Sequence, residues 1–246
     1  MTEPMGMDLL AESLTIKRGI TALVGGGGKT TLMEGLAGIL SRQDTVIVTT
    51  STHIFQPEGI RTASEPAQIR EILMQDGICC AGRPEPESGK LIEPAVSFSE
   101  LGKMAGYVLV EADGAKQLPL KAPGEREPVI PPETGLVIAV AGLDGIGKPI
   151  RETCFRPEKY AAVAGRKEGD PVRPEDAAAV LASWEGQRKN VPEGADFAVV
   201  LNKADTEERI RQAERIRCLL ENSGIREGYI ARLKEEPNEN YHTRSR

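Results

Sequence analysis

The sequence predicts an α/β fold, a mostly parallel sheet flanked by helices, and three observations lead there. Short apolar runs rich in β-branched residues alternate with longer amphipathic segments, the pattern of βαβ units laid side by side. The first run ends in four consecutive glycines, Gly25 to Gly28, followed at once by a lysine and a helical pattern. A later run, "GYVLVEADGA", stays apolar until it ends in carboxylates. With 246 residues, 39% of them hydrophobic and 28% charged, the chain can bury the core that such a sheet needs.

Taken in order, strands are predicted over 20–24, 45–49, 107–111, 135–140, 197–201 and 228–232. Helices are predicted after Lys29, over 174–184 and over 206–222. The last of these reads most clearly: Thr206 can cap its start, Ile210, Ile216, Leu219 and Leu220 form its apolar face, and Gly224 can end it. The stretch from about 56 to 103 is irregular, with a helix around "AQIREILM" and short strands around "GICCAG" and "KLIEP". It is read as an insertion in one domain spanning 1–235, and the polar tail 236–246 is expected to be disordered.

Composition narrows the function. A net charge of -6 argues against broad binding of nucleic acid or anionic membranes and leaves room for a local cationic pocket. No apolar stretch reaches the length of a membrane span, and "MTEPMGMDLLAESL" lacks a basic start followed by a hydrophobic stretch. A cytoplasmic location is therefore expected. Cys79, Cys80, Cys154 and Cys218 show no C-x-x-C spacing, so reduced and mostly buried thiols are expected instead of structural zinc or a disulfide framework.

The glycines sit where "ITALVGGGGKTTLMEGLAGIL" passes from strand to helix. A run of four is entropically disfavoured unless something must approach bare backbone or the chain must turn through positive φ. Here Gly25, Gly26, Gly27 and Gly28 bring a helix N-terminus, with its unpaired amides, to a point where it can surround an anion. Lys29 supplies a charge for the β and γ phosphates, and the hydroxyl of Thr30 can ligate Mg2+. The usual Walker A spacing requires a glycine where Leu23 stands; the shorter G-x-x-G-K-T-T form, Gly25 to Thr31, resembles the loop of the Mur-type ligases. These features make the fold class P-loop NTPase-like.

Two further strand ends complete the candidate site. In "VEADG", Asp113 can hold magnesium directly or through water, while Glu111 can orient a nucleophile or join the metal shell. Which carboxylate takes which role is open, and Asp-Gly is also a common turn pair. "FAVVLNKAD" runs into N-K-x-D, the guanine-reading pattern of G proteins: Asp205 can accept from the guanine edge, the Lys203 stem can cover the base, and Asn202 can brace the loop. GTP is accordingly favoured over ATP.

A second lysine motif, "GLDGIGKP", has G-x4-G-K spacing, yet Pro149 replaces the hydroxyl residue and no apolar helical face follows. It is read as a turn leaving a strand, with Asp144 near the site because ligands gather at strand C-termini. His53 leaves the second strand among hydroxyl residues, where a solvated side chain is the first expectation. Arg156 can stabilise transferred phosphate or pair with a carboxylate, and the sequence does not choose.

The motifs "VGGGGKTT", "VTTSTHI", "VEADGAKQLPLKAPGEREPVIP", "VAGLDGIGKPI", "FRPEKYA", "VPEGA" and "VLNKAD", in that order, resemble the YqeC family across about 14–232. Members of that family are described as selenium-dependent hydroxylase accessory, or selenium cofactor biosynthesis, proteins. The resemblance implies a role in maturing selenium-dependent molybdenum hydroxylases, with a client enzyme or a selenium donor protein as partner. It also brings Lys116, Lys121 and Glu127 into view without giving them a role. The combined expectation is a slow magnesium-dependent NTPase; the alternatives are a ligase or kinase that activates a small substrate, and a switch that binds nucleotide without turnover.

Overall fold

The computed structural model describes residues 3–233. The chain opens with α1 (Met7–Leu14), β1 (Gly19–Gly25), the glycine loop, α2 (Lys29–Leu40) and β2 (Val46–Thr50). Next come β3 (His53–Ile54), β4 (Thr62–Ala63), α3 (Pro66–Asp76), β5 (Ile78–Ala81), β6 (Arg83–Glu85), β7 (Lys90–Ile92) and α4 (Phe98–Met104). After these lie β8 (Tyr107–Glu111), β9 (Leu120–Lys121), β10 (Thr134–Gly142), α5 (Ile150–Thr153), β11 (Cys154–Phe155), α6 (Pro157–Ala164) and α7 (Pro174–Ala182). The chain then forms β12 (Asp196–Asn202), α8 (Glu207–Asn222) and β13 (Gly228–Ile230), and the predicted tail 236–246 lies outside the described residues.

Eight strands form one sheet in the order β13-β12-β10-β1-β8-β2-β5-β4, and every pairing within it is parallel. A parallel sheet must be covered on both faces, which explains why the central strands read as unbroken apolar runs. Side chains alternate accordingly. Leu23, Val48, Leu109 and Val140 pack on one face with Leu32 and Leu36 of α2 and Leu10 of α1. On the other face, Ala22, Val24, Ala139 and Val199 pack with α6, α7 and α8, while Ile47, Val108 and Val110 pack with α3 and α4.

The irregular stretch divides between two sheets. Its β5 and β4 extend the main sheet past β2, whereas β3, β7 and β6 form a separate antiparallel sheet. Cys79 and Cys80 lie buried on β5, Cys154 is buried on β11 and Cys218 is exposed; all four are free thiols. No helix among the described residues is long and apolar enough to cross a membrane. Parallel register brings the strand ends together at one edge of the sheet, with Leu23 opposite Glu111 and Gly142 opposite Asn202. That edge is where the candidate residues converge.

Candidate functional site

The glycine loop is wedged between two other stretches of backbone. A Cβ at Gly25 would stand 2.3 Å from the Val140 carbonyl oxygen, and one at Gly27 would stand 2.2 Å from the Gly142 nitrogen. Both glycines also hold positive φ, +94° and +71°. The amides of Gly26 and Gly27 donate to the carbonyls of Val140 and Leu118, at 2.9 and 3.1 Å. The donors without intrahelical partners are therefore the amides of Gly28, at the N-cap of α2, and of Lys29, Thr30 and Thr31 in its first turn.

Lys29 lies under this loop, 4% exposed, with Nζ donating to the Gly25 carbonyl at 2.6 Å. Asp113 Oδ1 stands 3.2 Å from the same nitrogen and Glu111 Oε1 3.9 Å. Burial works to lower the pKa of this lysine, but the two carboxylates outweigh it and hold the ammonium above its ordinary value. Lys29 is a cation at neutral pH.

The two carboxylates have different surroundings. Glu111, at the end of β8, faces the cavity and accepts a hydrogen bond from the Thr30 hydroxyl at 3.1 Å. Burial pushes its carboxyl up, with Lys29 opposing the shift. Asp113 is fully buried beneath the loop, where Oδ2 accepts from the Gly25 amide at 3.1 Å and pairs with Lys121 at 2.9 Å.

Lys121, on β9, continues the series of charges. Its Nζ lies 2.7 Å from Glu127 Oε2, and Arg156 grips both oxygens of Glu127 at 2.5 and 3.0 Å. Cations and carboxylates thus alternate from Lys29 through Asp113, Lys121 and Glu127 to Arg156. Of the two expectations for Arg156, the structure shows the carboxylate pair. The residue also holds a left-handed φ of 59° at the start of α6.

At the other side of the loop, Asn202 Nδ2 donates to the Gly27 carbonyl at 2.8 Å, and its Oδ1 accepts from the Leu233 amide. The asparagine thus ties the end of β12 to the glycine loop. Lys203 pairs with Asp144 at 2.8 Å, which joins the "GLDGIGKP" turn to the site. Asp205 pairs with Arg209 at 2.9 Å and stands 3.7 Å from Arg232. A carboxylate has about four acceptor sites, so these contacts leave room for a ligand's donors.

One cavity of about 930 Å³ gathers Gly26 to Thr31, Glu111, Asn202, Lys203 and Asp205, at the large end of the range for small-molecule sites. Gly25 and Asp113 lie beneath it. The cavity is also lined by 114–118, where consecutive non-glycine residues, Lys116 and Gln117, hold φ of 47° and 62°. Such conformations cost about 1–2 kcal/mol each and persist where surrounding structure enforces them. His53 lines the cavity too and is half-exposed, with Nε2 3.6 Å from Glu85. Sequence reasoning missed the Asp113–Lys121 pair, although a lysine inside the apolar run "LPLKAP" signals a buried partner.

A parallel α/β sheet with a glycine loop feeding a helix, a hydroxyl at that helix start and an acid on the adjacent strand defines a P-loop NTPase-like protein. The chain belongs to the YqeC family, whose model, described as YqeC protein, matches residues 21–158. That span runs from β1 into the first turn of α6 and so contains the loop and the whole charge series through Arg156. A protein of Escherichia coli (strain K12) named "Uncharacterized protein YqeC" is 28% identical over 228 residues, covering 89% of each chain.

Proposed function

We propose that this protein binds a magnesium nucleoside triphosphate across the glycine loop and hydrolyses it slowly, as an accessory in maturing selenium-dependent molybdenum hydroxylases. The observation that carries the nucleotide reading is the Thr30 hydroxyl on the Glu111 carboxylate at 3.1 Å, beside Lys29 at the start of α2. Two hard oxygen ligands facing the cavity suit magnesium, which draws its remaining ligands from phosphate and water. Glu111, whose carboxyl burial pushes up, gains from a nearby cation. When bound, magnesium would neutralise charge on the β and γ phosphates.

The charge series supports the motion that phosphate binding demands. Lys29 can leave Asp113 for phosphate because Lys121 stays behind as the counterion of that buried carboxylate. The first-turn amides of α2 supply the remaining donors, and Asn202 holds the loop against the base-reading segment. Slow turnover fits a site in which Glu111 is tied to Thr30 and Arg156 is held by Glu127. The selenium-linked role rests on what the family's motifs imply.

Calorimetric titration with magnesium and GTP or ATP, followed by steady-state phosphate release, tests the reading. Wild type should bind nucleotide, and Lys29→Ala should lose about 1.5–3 kcal/mol of that affinity or more while remaining folded. A folded wild type with no affinity for either triphosphate would overturn it.

A further inference from the structure

The cavity continues past the place where the nucleotide would end. In the sheet, β12 lies on one side of β1, while β8 and then β2 lie on the other. A nucleotide with its base at Asp205 and its phosphates at the first turn of α2 therefore points its terminal phosphate toward Glu111. Past Glu111, in the direction of β2, the same cavity is lined by His53, Ile54 and Phe55 after β2 and by Lys90 at the start of β7, which form its far lobe; Lys116 and Gln117, from the stretch beside the glycine loop, line the cavity as well.

Two cations of the cavity wall make no ion pair within 4 Å among the described residues, although Lys90 stands opposite Glu85 in the β6–β7 pair and feels its charge. Lys90 Nζ lies 4.7 Å from the centre of the Phe55 ring, and Lys116 Nζ lies 5.4 Å from that of Phe155. The other lysines on the cavity wall are engaged, Lys29 by Asp113 and Lys203 by Asp144. Phe55 itself is 58% exposed, an aromatic surface left open at the cavity's edge. On the acidic side, Glu111 forms the near wall, and Glu85, which does not line the cavity, pairs with His53 and stands opposite Lys90. Positive charge without a close ion pair beside an open aromatic ring selects a ligand that is both anionic and planar.

We infer that the far lobe binds a second ligand beside the nucleotide, a small anion on an aromatic framework, with the anionic group met by Lys90 and Lys116 and the framework against Phe55. The inference rests on the nucleotide reading for the position of the terminal phosphate. It adds an occupant that hydrolysis alone does not need.

Phenyl phosphate is a suitable probe, titrated calorimetrically into protein saturated with magnesium and a non-hydrolysable GTP analogue. The expected result is one probe bound per chain with the nucleotide in place. Binding should weaken at least tenfold in Lys90→Ala and in Phe55→Ala, both surface changes compatible with folding. Displacement of the probe by nucleotide, absence of probe binding, or variants that bind it like wild type would each overturn the inference. If nucleotide fails to bind while probe affinity still depends on Lys90 and Phe55, the nucleotide reading falls and the second site stands.

Discussion

Glu111 and Asp113 stand two positions apart at one strand end, and burial gives them different chemistry. Glu111 opens on the cavity, so Glu111→Gln should remove most of the magnesium dependence of nucleotide binding and leave binding in EDTA nearly unchanged. Asp113 is enclosed by two lysines that keep Glu111 and Glu127 as other partners, so Asp113→Asn should instead destabilise the fold by about 1–3 kcal/mol, the cost of a weakened buried charge-assisted contact. Urea unfolding and titrations with and without EDTA separate the two outcomes; loss of magnesium dependence in Asp113→Asn alone would exchange the roles. Farther along the series, burial works to raise the pKa of Glu127, but Arg156 and Lys121 overcome it and hold the carboxyl at about 2 against an ordinary 4.5. A depressed folded pKa contributes stability that is fully present above 4.5 and lost as pH falls toward about 2. The urea midpoint of wild type should thus exceed that of Glu127→Gln most at neutral pH, and the gap should close through that acid window. The sequence made Lys29, Thr30 and Glu111 legible because motif spacing encodes them. It could not show that Lys121 and Arg156 complete the charge balance, because those pairs form only when β9 and β11 meet.

At the scale of elements, the same residue type has opposite effects in the loop and in the helix behind it. Gly25 combines positive φ with a site where a Cβ would meet the Val140 carbonyl, so Gly25→Ala should cost about 2–4 kcal/mol of stability. Gly38, in α2, has nothing within 4 Å of its would-be Cβ and no positive φ, and Gly38→Ala should stabilise by about 0.5–1 kcal/mol. Thermal melts of the two variants should therefore move in opposite directions, and a stable Gly25→Ala would show that the loop can open away from β10. Gly35 belongs to neither case, since its face is covered by the Met7 side chain of α1. Seven of the eight strands of the main sheet and the helix over 207–222 were legible from their apolar patterns, whereas the two-residue β4 was not. α1 and α6, eight residues each, were not. Their short periods say little until the surfaces they cover are known. Of the small antiparallel sheet, β7 was expected around "KLIEP", but β3 and β6 escaped for a different reason: two- and three-residue strands are defined by their partners and carry no period of their own.

Across the whole molecule, the cavity exists because strands distant in sequence end at one edge of the sheet, and the segment 202–205 is tied to the glycine loop through Asn202. A ligand that spans both should stabilise the entire fold, by an amount that grows with the logarithm of its concentration over its Kd. GTP should therefore raise the melting temperature more than ATP at equal concentration. The reason lies at Asp205, whose carboxylate lines the cavity and keeps acceptor capacity beyond its contacts with Arg209 and Arg232. Guanine offers that carboxylate two donors on one edge, and adenine does not. Each polar group left unpaired by the wrong base costs about 1–3 kcal/mol, enough to separate the two nucleotides clearly. Asp205→Asn presents one donor and one acceptor, which suits the 2-oxo group of xanthine, so preference should move from GTP toward XTP. Arg209 and Arg232 lose their anionic partner in that variant, and its melting temperature without nucleotide sets the baseline for the comparison. Competition binding of GTP, ATP and XTP to both proteins decides the matter. Equal GTP and ATP affinities in wild type, unmoved by the substitution, would mean that Asp205 serves only its two arginines and the start of α8.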